Sequence, residues 1–148
     1  MLGIPRMAST QEDFDWILNC VPTARNGLCF CTGSLGARAD NDIAAMASRF
    51  SDRIHFLHLR NVTRELDGSF FEADHLNGDV DIYGVLHAVL STRNDDGVIP
   101  MRPDHGHVML DDVDKMTNPG YSAIGRMRGL AELRGLIHAL ERSISRLT

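Results

Sequence analysis

The 148-residue chain is 43% hydrophobic and 24% charged, enough apolar content to close one sizeable core and too much for a disordered tail. Fifteen basic against twenty acidic side chains give a formal charge of −5, which argues against nucleic acid as a partner. No apolar run approaches a membrane span, and the opening "MLGIPRMAST" lacks the apolar stretch of a secretory signal, so the expectation is a cytoplasmic protein with no membrane partner.

In chain order, "STQEDFDWILNCV" sets Ser9 three residues before Glu12, a capping-box pattern, and spaces Phe14, Ile17, Leu18 and Val21 as one apolar helix face. "GLCFCTG" reads as a short apolar strand between Gly27 and Gly33. "DNDIAAMASRF" repeats the helical spacing with Ile43, Met46, Ala47 and Phe50, capped from the Asp40 to Asp42 region. "RIHFLHLRN" is a second strand. Residues 62–79 carry charges and glycines without clear periodicity and read as an excursion loop, after which Val80 to Leu90 resume a helix through Ile82, Val85, Leu86 and Val89. "GVIPMRPDHGH" supplies a third strand and a second excursion runs to about Gly120. A final long helix places Leu130, Leu133, Ile137, Leu140, Ile144 and Leu147 at alternating spacings of three and four.

Strand and helix alternate three times and the strands are apolar on both faces, which predicts an α/β class with a parallel sheet and right-handed crossovers. Three parallel strands leave two edges to be covered or paired. The pattern therefore fits either a small open sheet or the last part of an eight-stranded barrel.

Three cysteines without a disulfide-framework spacing suit a reducing compartment. Cys20, near a helix end, and Cys29, inside an apolar strand, read as buried structural thiols. Cys31 differs, because it closes "LCFC" as His58 closes "IHFLHL" and Asp104 follows "VIPM". In a parallel barrel such strand ends share one rim, where a thiolate, an imidazole and a carboxylate can hold a divalent transition ion. Taken singly, each has an ordinary structural explanation, and their coincidence at three successive strand ends is what favours a shared metal site. Alternation sets His55 on the face opposite His58, so His55 is read as structural. His87, His107 and His138 have no comparable case.

The motifs "CTGSLGARADND", "IHFLHLRNV", "FFEADHLNGDVD", "MRPDHGH" and "NPGYSAIGRMRGLAELRG" closely resemble the C-terminal part of bacterial mannonate dehydratase. The resemblance runs from "GIPR" to about residue 140. It implies a partial TIM barrel and dehydration of D-mannonate to 2-keto-3-deoxy-D-gluconate in hexuronate (glucuronate) catabolism. It also implies a divalent ion, Mn2+ first and Fe2+ second, on ligands matching Cys31, His58 and Asp104. The family's remaining ligand histidine belongs to a motif upstream of "GIPR", so the expectation is a C-terminal portion whose N-terminal barrel half is absent and whose activity alone is impaired. His105, adjacent to Asp104, is the first choice for proton transfer, and Tyr121 of "NPGYS" matches the family's active-site tyrosine. Arg60 and Arg102 are candidates for the sugar-acid carboxylate, since guanidinium binds carboxylates bidentately, and His75 for further substrate contact. The expected partners are a small-molecule sugar acid and either a second copy or the missing barrel half. Two alternatives stand beside the dehydratase: another metal-dependent, isomerase-like sugar barrel, and a non-catalytic half barrel that self-associates.

Overall fold

The computed structural model describes residues 7–92 and 97–145. Its first helix, α1 (Gln11–Cys20), starts one residue later than the Ser9–Glu12 pattern predicts. Thr10 is the extended N-cap, and Asp13 closes a reciprocal capping box with it. The Asp13 carboxylate accepts from the backbone N–H groups of Ser9 at 2.8 Å and Thr10 at 2.9 Å, which Glu12 does not do. Leu18 is buried and Phe14 meets Phe50 edge-on at 6.2 Å, while Val21, just past the helix, is exposed. Cys20 is exposed as well, so its expected burial is not found.

Strands β1 (Leu28–Cys31), β2 (Ile54–Leu59) and β5 (Met101–Pro103) form one parallel sheet in the order β1-β2-β5. Between the last two lies an antiparallel hairpin, β3 (Val62–Arg64) and β4 (Phe70–Glu72), where the sequence shows only an excursion. The third strand is shorter than "GVIPMRPDHGH" suggests and ends immediately before Asp104.

The strands are not apolar on both faces. Phe30, Leu57 and Leu59 are buried on the helix side, whereas Cys29 is exposed, which overturns the reading of that thiol as a core residue. The physical reason is that the described residues cover only one face of the sheet. The core lies between that face and α3 (Ile43–Arg49), α4 (Ile82–Thr92) and α5 (Ala123–Ile144), with α3 packed on α4 and α4 on α5. Asp42 caps α3 by accepting from Ala45 N–H at 2.9 Å, and Ile43, Met46, Ala47 and Phe50 are buried as their spacing predicts. Ile82, Val85, Leu86 and Val89 do the same for α4. On α5, Leu133 and Leu140 are buried but Leu130 is 41% exposed, and Leu147 lies outside the described residues. Full burial of each large apolar side chain contributes about 1.5–3 kcal/mol, so this one-sided core carries the fold. No helix among the described residues is long and apolar enough to cross a membrane.

Register decides what reaches the rim. Cys31 lies opposite His58, and His58 lies opposite Arg102, so one row crosses all three strands near their C-terminal ends. The β1–β2 ladder is irregular between Leu28 and Cys29. His55 next to it is exposed and stands over Gly27, away from the row.

Candidate functional site

A short helix, α2 (Thr32–Gly36), begins directly after Cys31 and fastens β1 to β2. The fully buried Thr32 hydroxyl lies 2.5 Å from the carbonyl oxygen of Arg60 and 3.2 Å from that of His58, and it accepts from Arg60 N–H at 2.9 Å. Cys31 and His58 are thus held level by the residue between the strand and its following turn.

Asp104 is the hub, with its side chain 7% exposed. One carboxylate oxygen, Oδ1, lies 3.0 Å from His58 Nε2, 3.5 Å from an Arg102 guanidinium nitrogen and 3.8 Å from His105 Nε2. The other, Oδ2, is 3.2 Å from Arg60 Nε. Arg60 is shared with Glu72 on the hairpin, donating to it from Nε at 3.0 Å. The Glu72 carboxylate, more than any other group, pushes the Arg60 guanidinium above its ordinary pKa, with smaller electrostatic contributions from Asp104 and Cys31. A buried carboxylate surrounded by four cationic or potentially cationic groups satisfies the requirement that interior charge be paired.

His75 enters from behind. Its Nε2 accepts from the backbone N–H of Asp104 at 3.0 Å, and its ring lies against Gly129 of α5, where a Cβ would come within 2.4 Å. Burial lowers its pKa, with Glu132, Asp104 and Asp74 opposing. Asn61 holds the loop carrying His75. The buried amide donates to the carbonyls of His75 and Val80, both at 2.9 Å, and accepts from the N–H groups of Val62 and Val80, both at 2.9 Å.

His105 and Tyr121 are brought together by a turn. In "NPGY" the backbone N–H of Tyr121 donates to Asn118 carbonyl at 3.0 Å, and Gly120 has φ +79°. Proline then glycine at the centre of such a turn matches the type II preference. Gly106 N–H donates to Gly120 carbonyl at 2.9 Å, drawing the turn onto the "DHG" loop. His105 Nε2 consequently lies 3.0 Å from the Tyr121 hydroxyl, with the rings edge-on. Below them Gly106 and Gly125 face each other too closely for side chains: a Cβ on Gly106 would lie 2.4 Å from α5 backbone.

Of the residues anticipated from sequence, His58, Arg60, Arg102 and His105 surround the Asp104 carboxylate, His75 holds the Asp104 backbone, Cys31 stands one strand away on the same row, and Tyr121 reaches the cluster through His105. Glu72 was not anticipated. It offers an oxygen within 4.8 Å of ligand atoms of Asp104 and His105, and these three form a possible metal-binding triad. Its motif "FFEADH" was visible, but the hairpin that turns it inward was not. His107, which had no assigned role, lies 3.3 Å from Asp74, itself 3.3 Å from Arg128.

The donor chemistry of imidazole, carboxylate and thiolate at strand ends suits a divalent transition ion. Parallel strands with such a rim, backed by helices on one side, define a segment of a TIM-barrel enzyme. The profile of the D-mannonate dehydratase family matches residues 1–146. The chain belongs to that family. It is 53% identical to mannonate dehydratase 2 of Agrobacterium fabrum over 99% of this chain and 38% of the relative, and 54% identical to the mannonate dehydratase of Saccharophagus degradans over 95% and 38%. The crystal structure of mannonate dehydratase from Streptococcus suis superposes with a TM-score of 0.85 at 33% identity, covering 97% of this chain and 40% of that one. A xylose isomerase domain protein of Planctomyces limnophilus shares the fold, with a TM-score of 0.65 at 12% identity over 96% of this chain and 46% of that one. The chain thus spans about two fifths of the length of the relatives it matches.

Proposed function

We propose that this chain is the C-terminal portion of a manganese-type, metal-dependent barrel that dehydrates D-mannonate to 2-keto-3-deoxy-D-gluconate and water in hexuronate catabolism. A further N-terminal part completes the barrel and the ligand set. The observation that carries this reading is the convergence of His58, Asp104 and the His105–Tyr121 pair at the strand ends of a chain in this family.

Cys31, His58 and Asp104 would hold the ion, with Glu72 near enough to join or replace a ligand. When bound, such an ion stabilises negative charge developing on substrate oxygens, typically by several kcal/mol. Dehydration requires removal of the C2 proton and protonation of the hydroxyl leaving C3. His105 and Tyr121 form the pair that handles these protons, a neutral imidazole nitrogen accepting and a phenol donating within one hydrogen bond. The enol left by loss of water becomes the 2-keto product by moving its hydroxyl proton to C3. Arg102, half exposed beside the ligand carboxylate, is better placed to meet the sugar-acid carboxylate than Arg60, which already serves Glu72 and Asp104. His75 keeps Asp104 in place from the side away from solvent.

The test is keto-acid formation from D-mannonate with Mn2+, by the chain alone and after covalent restoration of the N-terminal barrel half. Weak or no turnover alone and strong turnover after restoration is the expected result. Preference of the restored protein for isomerising a ketose would replace this reading with the isomerase-like alternative.

A further inference from the structure

One nitrogen in the cluster has two partners that it cannot serve together. His58 Nε2 lies 3.0 Å from Asp104 Oδ1 and 2.8 Å from an Arg102 guanidinium nitrogen. If Nε2 carries a proton, it donates to the carboxylate and confronts the N–H of Arg102; if it carries a lone pair, it accepts from Arg102 and confronts the carboxylate oxygen. In the second arrangement two electron-rich atoms stand 3.0 Å apart, and the adjacent cation on Arg102 offsets their repulsion. The same guanidinium nitrogen is 3.5 Å from Oδ1, close enough to Asp104 to do so.

We propose that Arg102 is an internal competitor for the divalent cation: its guanidinium occupies the His58–Asp104 pair, and the ion must displace it. The inference rests on the metal reading above. Arg102 suits the role in three respects. It is the register partner of His58, so both project from the same level of adjacent strands. Its side chain is 49% exposed, leaving room to swing outward. Among the described residues its ion-pair and hydrogen-bond contacts are to His58 and Asp104 only, so nothing else detains it. Arg60 is the counterexample, because it sits on the opposite oxygen of Asp104, is tied to Glu72 and is 18% exposed. A planar cation that releases readily makes metal loading weaker but reversible, and it keeps the ligand pair organised in the meantime.

The experiment is titration of Mn2+ by calorimetry into the purified protein, into Arg102→Gln and Arg102→Ala, and into Arg128→Gln. Arg128 supplies the control, since its contacts are to Asp74 and Glu132. Losing a charge-assisted contact at a half-exposed site is expected to tighten Mn2+ binding by about five- to tenfold in both Arg102 variants, with less than about a twofold change in Arg128→Gln. Equal tightening in all three variants would show general charge repulsion and overturn the proposal. Unchanged or weaker binding in both Arg102 variants would overturn it too, while leaving the metal reading intact. Failure of every protein, including the unsubstituted one, to bind Mn2+ would overturn the metal reading and this inference with it.

Discussion

At the scale of single residues, the cluster separates ligand atoms from the groups that aim them. Asp104→Asn and Cys31→Ala are expected to lower Mn2+ affinity far more than Cys29→Ala, whose thiol lies on the exposed inner face; parallel titrations read this, and equal losses would reject the assigned row. In the restored barrel, His105→Ala and Tyr121→Phe should each lower kcat by about 10²- to 10⁴-fold, the usual contribution of a general acid or base, with Mn2+ affinity nearly unchanged. A large drop in affinity for His105→Ala would instead make His105 a ligand of the Glu72–Asp104–His105 triad. Asn61→Ala strands four buried backbone partners and should destabilise the fold by about 3 kcal/mol or more, read from the urea midpoint. His58 and Asp104 were legible because parallel strands deliver their ends to one rim. Asn61 and Glu72 were not, since their roles depend on partners that only the folded hairpin and loop supply.

At the scale of elements, the "NPGYS" turn and the start of α5 act as one latch. Ser122, the buried N-cap of α5, accepts from Gly125 N–H at 3.0 Å. The Ser122 side chain, more than any other group, holds the Asp112 carboxyl below its ordinary value of 3.8. A lowered carboxyl pKa in the folded state means that the stabilisation is complete above 3.8 and is lost as pH falls through the lower folded value. Acid should therefore loosen the Tyr121 latch below about pH 4, in the ordinary carboxylate range, and Asp112→Asn should remove that part of the pH dependence. Hydrogen exchange of α5's first turn across the acid range measures it. A residue other than glycine at 120 must adopt φ near +79°, which strains an L residue, so Gly120→Ala should weaken the His105–Tyr121 contact without unfolding the core. The long helices were readable from spacing alone. The β3–β4 hairpin and the five-residue α2 were not, because neither is long enough to show a period.

At the scale of the whole molecule, a sheet covered on one face and unpaired among the described residues at the outer edges of β1 and β5 predicts association. The isolated 148-residue chain is expected to sediment as a dimer or larger species, and a well-folded monomer would show that its edges are protected in another way. Adding the N-terminal barrel half should dissolve that self-association as it restores turnover. The parallel α/β class followed from strand–helix alternation, whereas the exposed inner face did not, because an apolar strand looks alike in sequence whether one or both of its faces are covered.

The partners gathered on Asp104 come from far apart along the chain: His58 is 46 residues away and His75 is 29. Closing such loops costs conformational entropy that local contacts do not repay early, so the cluster is expected to assemble after the helices have formed. An unfolded chain offers a divalent ion only local donors such as those of "DHGH", whereas the fold brings His58 to Asp104 from another strand. Mn2+ should therefore raise the melting temperature, with a gain that continues to grow logarithmically with its concentration after the site is filled, and it should slow unfolding more than it speeds folding. Mn2+ occupancy is thus expected to report that the long-range contacts around Asp104 have formed, which helix content alone does not.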